Sequence, residues 1–160
     1  MTEAANIDGQ RLADVEAIRA LKVRYARFCD DGYDPEGIAS LFTEDGVWDG
    51  GKLFGRCEGH DGIKAHFRGA PARIPWALHY VLCPEIEVGP DGADAEGTWY
   101  LWQPCQVNRH GTVTQAYLAG TYRDRYVKVE GAWRFRHVQV DARWLEAPPP
   151  GPGPSPGSPS

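Results

Sequence analysis

Leu12, Val15, Ile18, Leu21, Tyr25 and Phe28 recur at steps of three and four residues, a spacing that predicts one apolar face along a long helix over about residues 8–31. Asp34-Pro35-Glu36 then carries a helix start, with a capping Asp, Pro at the first helical position and an acid in the first turn. It predicts a short second helix through Leu41 and Phe42. Strands are expected at Gly46–Asp49 and Leu53–Cys57, and a third helix near Asp61–Phe67. From Trp76 onward the period changes to two. Trp76–Val88, Ala95–Gln103, Thr112–Val129 and Ala132–Arg143 read as strands, separated by turn signals at Asp91-Gly92, Asn108–Gly111 and Glu130-Gly131. Helices first and long antiparallel strands afterwards make an α+β domain. Its sheet curls to bury the helices and closes a pocket against the long one.

Composition sharpens this picture at the ends and in the interior. Residues 148–160, PPPGPGPSPGSPS, hold no apolar side chain beyond proline, and a disordered tail is expected behind a single domain of residues 1–147. The net charge is −5 with no basic run, which argues against nucleic acid as a partner. No apolar stretch of membrane-spanning length and no apolar N-terminal signal region occur, so a soluble, cytoplasmic protein without a membrane partner is expected. Cys29, Cys57, Cys83 and Cys105 form no C-x-x-C and read as buried free thiols. Six Trp, seven Tyr and five Phe suggest a large core or a walled pocket for an apolar ligand.

Candidate chemistry centres on His79, which alternation places on one face of its strand with Ala77, Val81 and Cys83. Alone, such a histidine is most often structural; as a general base it needs a carboxylate to orient it. Asp30 at the end of the long helix is the candidate. The helix macrodipole disfavours an acid there, so local helix energetics do not explain it. Asp31 competes for the role, and Gly32 makes either acid plausible as a turn residue. An Asp accepting from one imidazole nitrogen fixes the tautomer and leaves the other nitrogen free for a proton. Cys57, His60 and His66 lie close in sequence, but their spacing matches no common zinc pattern, so no metal is expected.

A helix ending Y-x4-D, then F-T-E-D-G-V-W, G-x-x-E-G-x-x-x-I, a strand with a central His, and a closing G-x-Y-x-D-x-Y…G-x-W-R-F hairpin resemble the cone fold shared with nuclear transport factor 2. Within it the chain is similar to the branch holding scytalone dehydratase, SnoaL-like polyketide cyclases, bile-acid dehydratase and hexachlorocyclohexane dehydrochlorinase, over about residues 8–146. The resemblance implies a cone-shaped barrel, a strongly curved antiparallel sheet wrapped around a long N-terminal helix and two short helices. It also implies an Asp30–His79 catalytic pair, a substrate-side hydroxyl on Tyr25 and a pocket wall at Trp48. Arg143, in an ending that resembles W-K-F…D-x-R-W, is expected at the substrate or the entrance, unless it simply pairs with Asp141 or Glu146. Scytalone dehydratase carries a second histidine where this chain has Cys105, so scytalone itself is not the expected substrate. Tyr100 or Tyr117 is a candidate to supply a hydroxyl instead.

The function expected from this is a cofactor-independent lyase of the dehydratase type. Asp30 and His79 would take a proton from a small aromatic, polyketide-like or steroid-like substrate. Isomerisation or cyclisation by the same proton abstraction, and a non-catalytic binding or assembly module, are the alternatives. Epoxide hydrolysis is weaker, since no second carboxylate for it can be placed. The resemblance also implies a homodimer or homotrimer through the sheet, whose aromatics Trp99, Trp102, Tyr117 and Trp133 face either pocket or interface.

Overall fold

The computed structural model describes residues 2–146, and the expected 148–160 tail lies outside the described residues. The helices are α1 (Thr2–Asp30), α2 (Pro35–Ser40), α3 (Gly51–Phe54), α4 (Gly59–Arg68) and α5 (Ala70–Arg73). The strands are β1 (Phe42–Asp49), β2 (Arg56–Glu58), β3 (Trp76–Ala77), β4 (Tyr80–Val88), β5 (Asp94–Arg109), β6 (Thr112–Val129) and β7 (Ala132–Glu146). All seven strands form one curled, unclosed sheet in the order β2-β1-β7-β6-β5-β3, with β4 also on β5. The α+β class stands.

Several boundaries differ from the expectation. The second helix stops at Ser40, and Phe42 opens β1. The expected Leu53–Cys57 strand is a helical turn, α3, followed by the three-residue β2. Four short helices, not two, accompany α1. The sheet is not wholly antiparallel, because β1 runs parallel to β7 from Phe42↔Phe135 to Asp49↔Gln139. A parallel pair needs a long connection, and here nearly the whole intervening chain supplies it.

The helix α1 buries Ile18, Leu21, Tyr25, Ala26 and Cys29 against the concave side of the sheet. Its buried face is the expected one through Ile18, Leu21 and Tyr25, but Leu12 is 69% exposed, and Asp14 and Lys22 also lie inside. Full burial of an Ile or Leu side chain contributes roughly 1.5–3 kcal/mol. On β5, Ala95, Trp99, Leu101, Gln103 and Cys105 point inward at every second position, and on β7 Phe135, Val138 and Val140 continue the same wall. Trp99 and Trp133 belong to this interior, not to an outer interface.

The expected Trp76–Val88 strand is broken at Leu78 and His79. Its two pieces flank Pro104 on β5, with Ala77 opposite Cys105 and Tyr80 opposite Trp102. Leu78 N–H still donates to the Pro104 carbonyl at 3.0 Å, but proline returns no N–H, so the ladder lapses here. His79 is thereby freed from the sheet. A second irregularity between Leu82 and Glu85 places Cys83 at φ 49° and on the surface, so it is not a buried thiol. Cys57 is only half-buried, whereas Cys29 and Cys105 are buried as expected.

Candidate active site

Asp30 ends α1 because the chain reverses immediately after it. Gly32 and Tyr33 take left-handed backbone angles, φ 76° and 60°. Tyr33 N–H donates to the Cys29 carbonyl at 3.1 Å and Asp34 N–H to the Phe28 carbonyl at 3.0 Å, closing the helix end. Asp34 then caps α2, its Oδ1 accepting from the N–H groups of Glu36 and Gly37 at 3.1 Å each. The Asp30 carboxylate reaches the gap between β3 and β4. One oxygen, Oδ1, accepts from the His79 backbone N–H at 2.8 Å and faces His79 Nδ1 at 2.7 Å. An ionised carboxylate only accepts, so the network assigns the ring proton to Nδ1 and leaves Nε2 with its lone pair. The His79 side chain is 6% exposed.

His79 lines a cavity of about 50 Å³ between α1, α4, α5 and the inner face of the sheet. Tyr25 and Trp48 form part of its wall, and Trp48 Nε1 donates to the Tyr25 hydroxyl at 2.8 Å. Burial holds the Tyr25 hydroxyl protonated far above its ordinary range, so it serves as a donor rather than a base. Trp48 lies tilted against His66, with ring centroids 4.5 Å apart and 37° between planes, and meets Phe67 edge-on. Only glycine fits at position 50, where a Cβ would lie 2.6 Å from the Trp48 ring. Tyr33 also lines the cavity, its ring edge-to-face with His79 at 6.0 Å.

A SnoaL-like domain model matches residues 10–139 of the sequence. The chain belongs to the SnoaL-like family. Solved structures agree in fold. A hexachlorocyclohexane dehydrochlorinase (type 2) superposes with a TM-score of 0.81 at 18% identity, covering 94% of this chain and 99% of that one. A Novosphingobium aromaticivorans protein provisionally named a scytalone dehydratase gives 0.75 at 22% identity, covering 92% and 99%. A type 3 dehydrochlorinase from Novosphingobium barchaimii gives 0.76 at 20% identity, covering 88% and 93%. None of the curated proteins compared matches the sequence.

In this SnoaL-like chain Tyr25, Trp48 and His79 line one cavity, Asp30 holds His79 from outside its lining, and the other expected site residues do not join them. Asp31 is exposed, and it is Asp30 that holds the imidazole. Tyr100 lies on the convex face of the sheet, 57% exposed, because β5 alternation turns it away from Leu101 and Gln103. Tyr117 shares that outer face and stacks on Trp102 at 5.2 Å with 9° between planes. Cys105 is buried between Ala77 and Ala116, outside the cavity lining. Burial pushes its thiol pKa up, so it offers no proton relay in place of an imidazole. Arg143 is exposed on β7, and Asp141 pairs with Arg123 at 3.1 Å instead. His60 Nε2 lies 3.1 Å from the Phe42 carbonyl, away from His66, which turns to the cavity.

The sequence reading missed Tyr33, Arg73 and Gln103, which also line the cavity. It missed Lys22 as well, whose ammonium lies 2.8 Å from Asp124 Oδ2, both side chains 0% exposed. Lys22 sits four residues after Ile18 and three before Tyr25, so its place on the buried face was readable. Its ammonium lies 3.3 Å from the Tyr122 ring centroid, a cation–π contact directly behind the cavity wall. Trp99 Nε1 donates to the Tyr126 hydroxyl at 3.0 Å, and Tyr126 donates to Asp124 at 2.9 Å. Burial draws the Lys22 pKa down and pushes that of Asp124 up, each toward its neutral form, against their mutual attraction.

Proposed function

We propose that this protein is a cofactor-independent lyase of the dehydratase type, with Asp30 and His79 as the proton-transfer pair. The observation that carries the reading is Asp30 Oδ1 on His79 Nδ1 at 2.7 Å, with the imidazole edge in an aromatic-walled cavity. His79 Nε2 takes the proton from a carbon beside an activating group. The C–H electron pair ends in the new carbon–carbon double bond, and the C–O bond on the neighbouring carbon breaks. The proton on Nε2 then goes to the departing hydroxide, which leaves as water, and the imidazole returns neutral. A positioned base of this kind supplies about 10²–10⁴ in rate. Tyr25, fixed by Trp48, stands as a hydroxyl donor on the substrate side. Isomerisation or cyclisation would use the same first step.

A substrate-sized site normally has about 300–1,000 Å³, whereas this cavity has about 50 Å³. A small aromatic substrate therefore enters only if the half-buried Phe54 and the α3 and α5 edges give way. The same tightness favours a second reading, a non-catalytic module whose interior is simply filled. Incubation with hydroxylated aromatic ketones, followed by mass spectrometry for loss of one water, separates the two. Turnover that disappears in His79→Ala supports the lyase; no water loss with any substrate of this class leaves the module.

The outer face belongs to the same reading as the surface where a second copy docks. Tyr80, Leu82, Tyr100 and Trp102 are exposed there in neighbouring registers of β4 and β5. Sedimentation of the wild type is expected to show a dimer or trimer, and Trp102→Glu a monomer. A wild type that sediments as a monomer would remove this part of the reading.

A further inference from the structure

Tyr33 combines three features that folding alone does not explain. Its hydroxyl is buried and, among the described residues, has no hydrogen-bond partner. Its backbone holds φ 60°, a region a bulky side chain rarely enters and which clusters at functional sites. Its ring is clamped over the cavity, stacked on Phe67 at 6.2 Å and edge-on to His79 at 6.0 Å. Buried hydroxyls are almost always bonded, and an orphan in a cavity wall points to an absent partner.

Arg73 supplies the second observation. It ends α5, lines the same cavity, and has no carboxylate within ion-pair distance among the described residues. An unpaired guanidinium at the edge of an apolar cavity is a ready partner for negative charge on oxygen. We propose that the Tyr33 hydroxyl and the Arg73 guanidinium form an oxyanion-binding end of this cavity, which selects substrates whose carbonyl oxygen takes up the charge when His79 removes the adjacent proton. The inference rests on the dyad reading and narrows the substrate class to enolisable carbonyl compounds. The C–H electron pair moves onto the carbonyl oxygen as the enolate, Tyr33 donates to that oxygen, and Arg73 balances its charge. Collapse of the enolate then expels hydroxide from the β-carbon. Burial keeps the Tyr33 hydroxyl protonated well above its ordinary range, so it remains a donor.

The test uses 4-nitrophenolate as an enolate mimic, followed by its absorbance at pH 8 in the full-length protein. Wild type is expected to bind it, and Tyr33→Phe and Arg73→Gln each to bind it about ten-fold more weakly, the loss typical of one hydrogen bond to a charged group. Because the Tyr33 hydroxyl has no partner among the described residues, Tyr33→Phe is expected to melt at or above the wild-type temperature. Wild-type affinity in both variants, or no binding to wild type, overturns the proposal. A Tyr33→Phe melting temperature several degrees lower with unchanged affinity also overturns it, since the hydroxyl is then structural. Failure of the dyad is read separately, from water loss in His79→Ala, so retained phenolate selectivity without turnover would leave an oxyanion-binding protein that is not a lyase.

Discussion

A single oxygen of Asp30 holds His79 twice, by its backbone N–H at 2.8 Å and its ring Nδ1 at 2.7 Å. The same oxygen thus anchors the backbone at the break between β3 and β4 and orients the imidazole. Asp30→Asn keeps the shape but loses the charge that favours an imidazolium, and its amide can present a donor to Nδ1 and select the wrong tautomer. Turnover is expected to fall about 10²–10⁴-fold, with far-UV circular dichroism unchanged. Full activity in this variant would overturn the pairing of Asp30 with His79 as a catalytic dyad.

The buried Lys22–Asp124 pair predicts a non-additive effect. Removing one partner leaves the other charge buried and alone, which costs about 3–5 kcal/mol, whereas replacing both is often close to neutral. Lys22→Met is therefore expected to destabilise by that amount, and Lys22→Met/Asp124→Asn to recover most of it. The Tyr126 hydroxyl still finds an acceptor in the double variant. Urea unfolding of the full cycle reads the coupling. Additive losses would mean that the two groups do not act as an ion pair.

The helix, three of the four long strands and all three hairpin turns were legible because each depends on local periodicity or local turn chemistry. The phase of α1 was legible through Ile18, Leu21 and Tyr25, but an apolar template follows the exposed Leu12 and skips the buried charges Asp14 and Lys22. Asp14 is inside because Trp133 Nε1 donates to it at 2.9 Å and Lys128 pairs with it at 2.7 Å, partners more than a hundred residues away in the chain. Asp30 and His79 were legible from the macrodipole argument and the family resemblance. The way they meet was not, because it needs Pro104 on a strand not yet paired. The outward side of Tyr100 and Tyr117 was not legible, since alternation defines two faces without saying which is concave. Tyr33 and Arg73 come from a turn and a four-residue helix, where no periodicity marks the inward side.

Stability is expected to fall in mild acid through His66. Burial lowers its pKa in the folded state, and the nearby Arg73 charge lowers it further; burial acts in the same direction on His137. The unfolded chain takes up these protons near the ordinary histidine value of about 6.5, while the folded chain does so only at lower pH. Stability from this source is complete above about pH 6.5 and is lost as pH falls toward the depressed folded values. His66→Gln is expected to flatten the slope of unfolding free energy between about pH 6.5 and 5 by less than one proton, with His137 supplying the remainder. An unchanged slope would show that His66 does not titrate differently on folding.

Trp48 couples the cavity's size to the protein's stability. Its indole N–H fixes the Tyr25 hydroxyl, and its ring fills the space between His66 and Phe67. Trp48→Phe deletes the donor and part of the ring, which together cost about 1–3 kcal/mol. The volume removed opens onto the existing cavity of about 50 Å³, so this variant is expected to bind benzene-sized ligands more tightly than wild type despite melting lower. Calorimetric titration with such a ligand, beside thermal denaturation, reads both changes. A lower melting temperature without a gain in binding would mean that neighbouring side chains collapse into the space, and that Trp48 holds the wall in place rather than setting its reach.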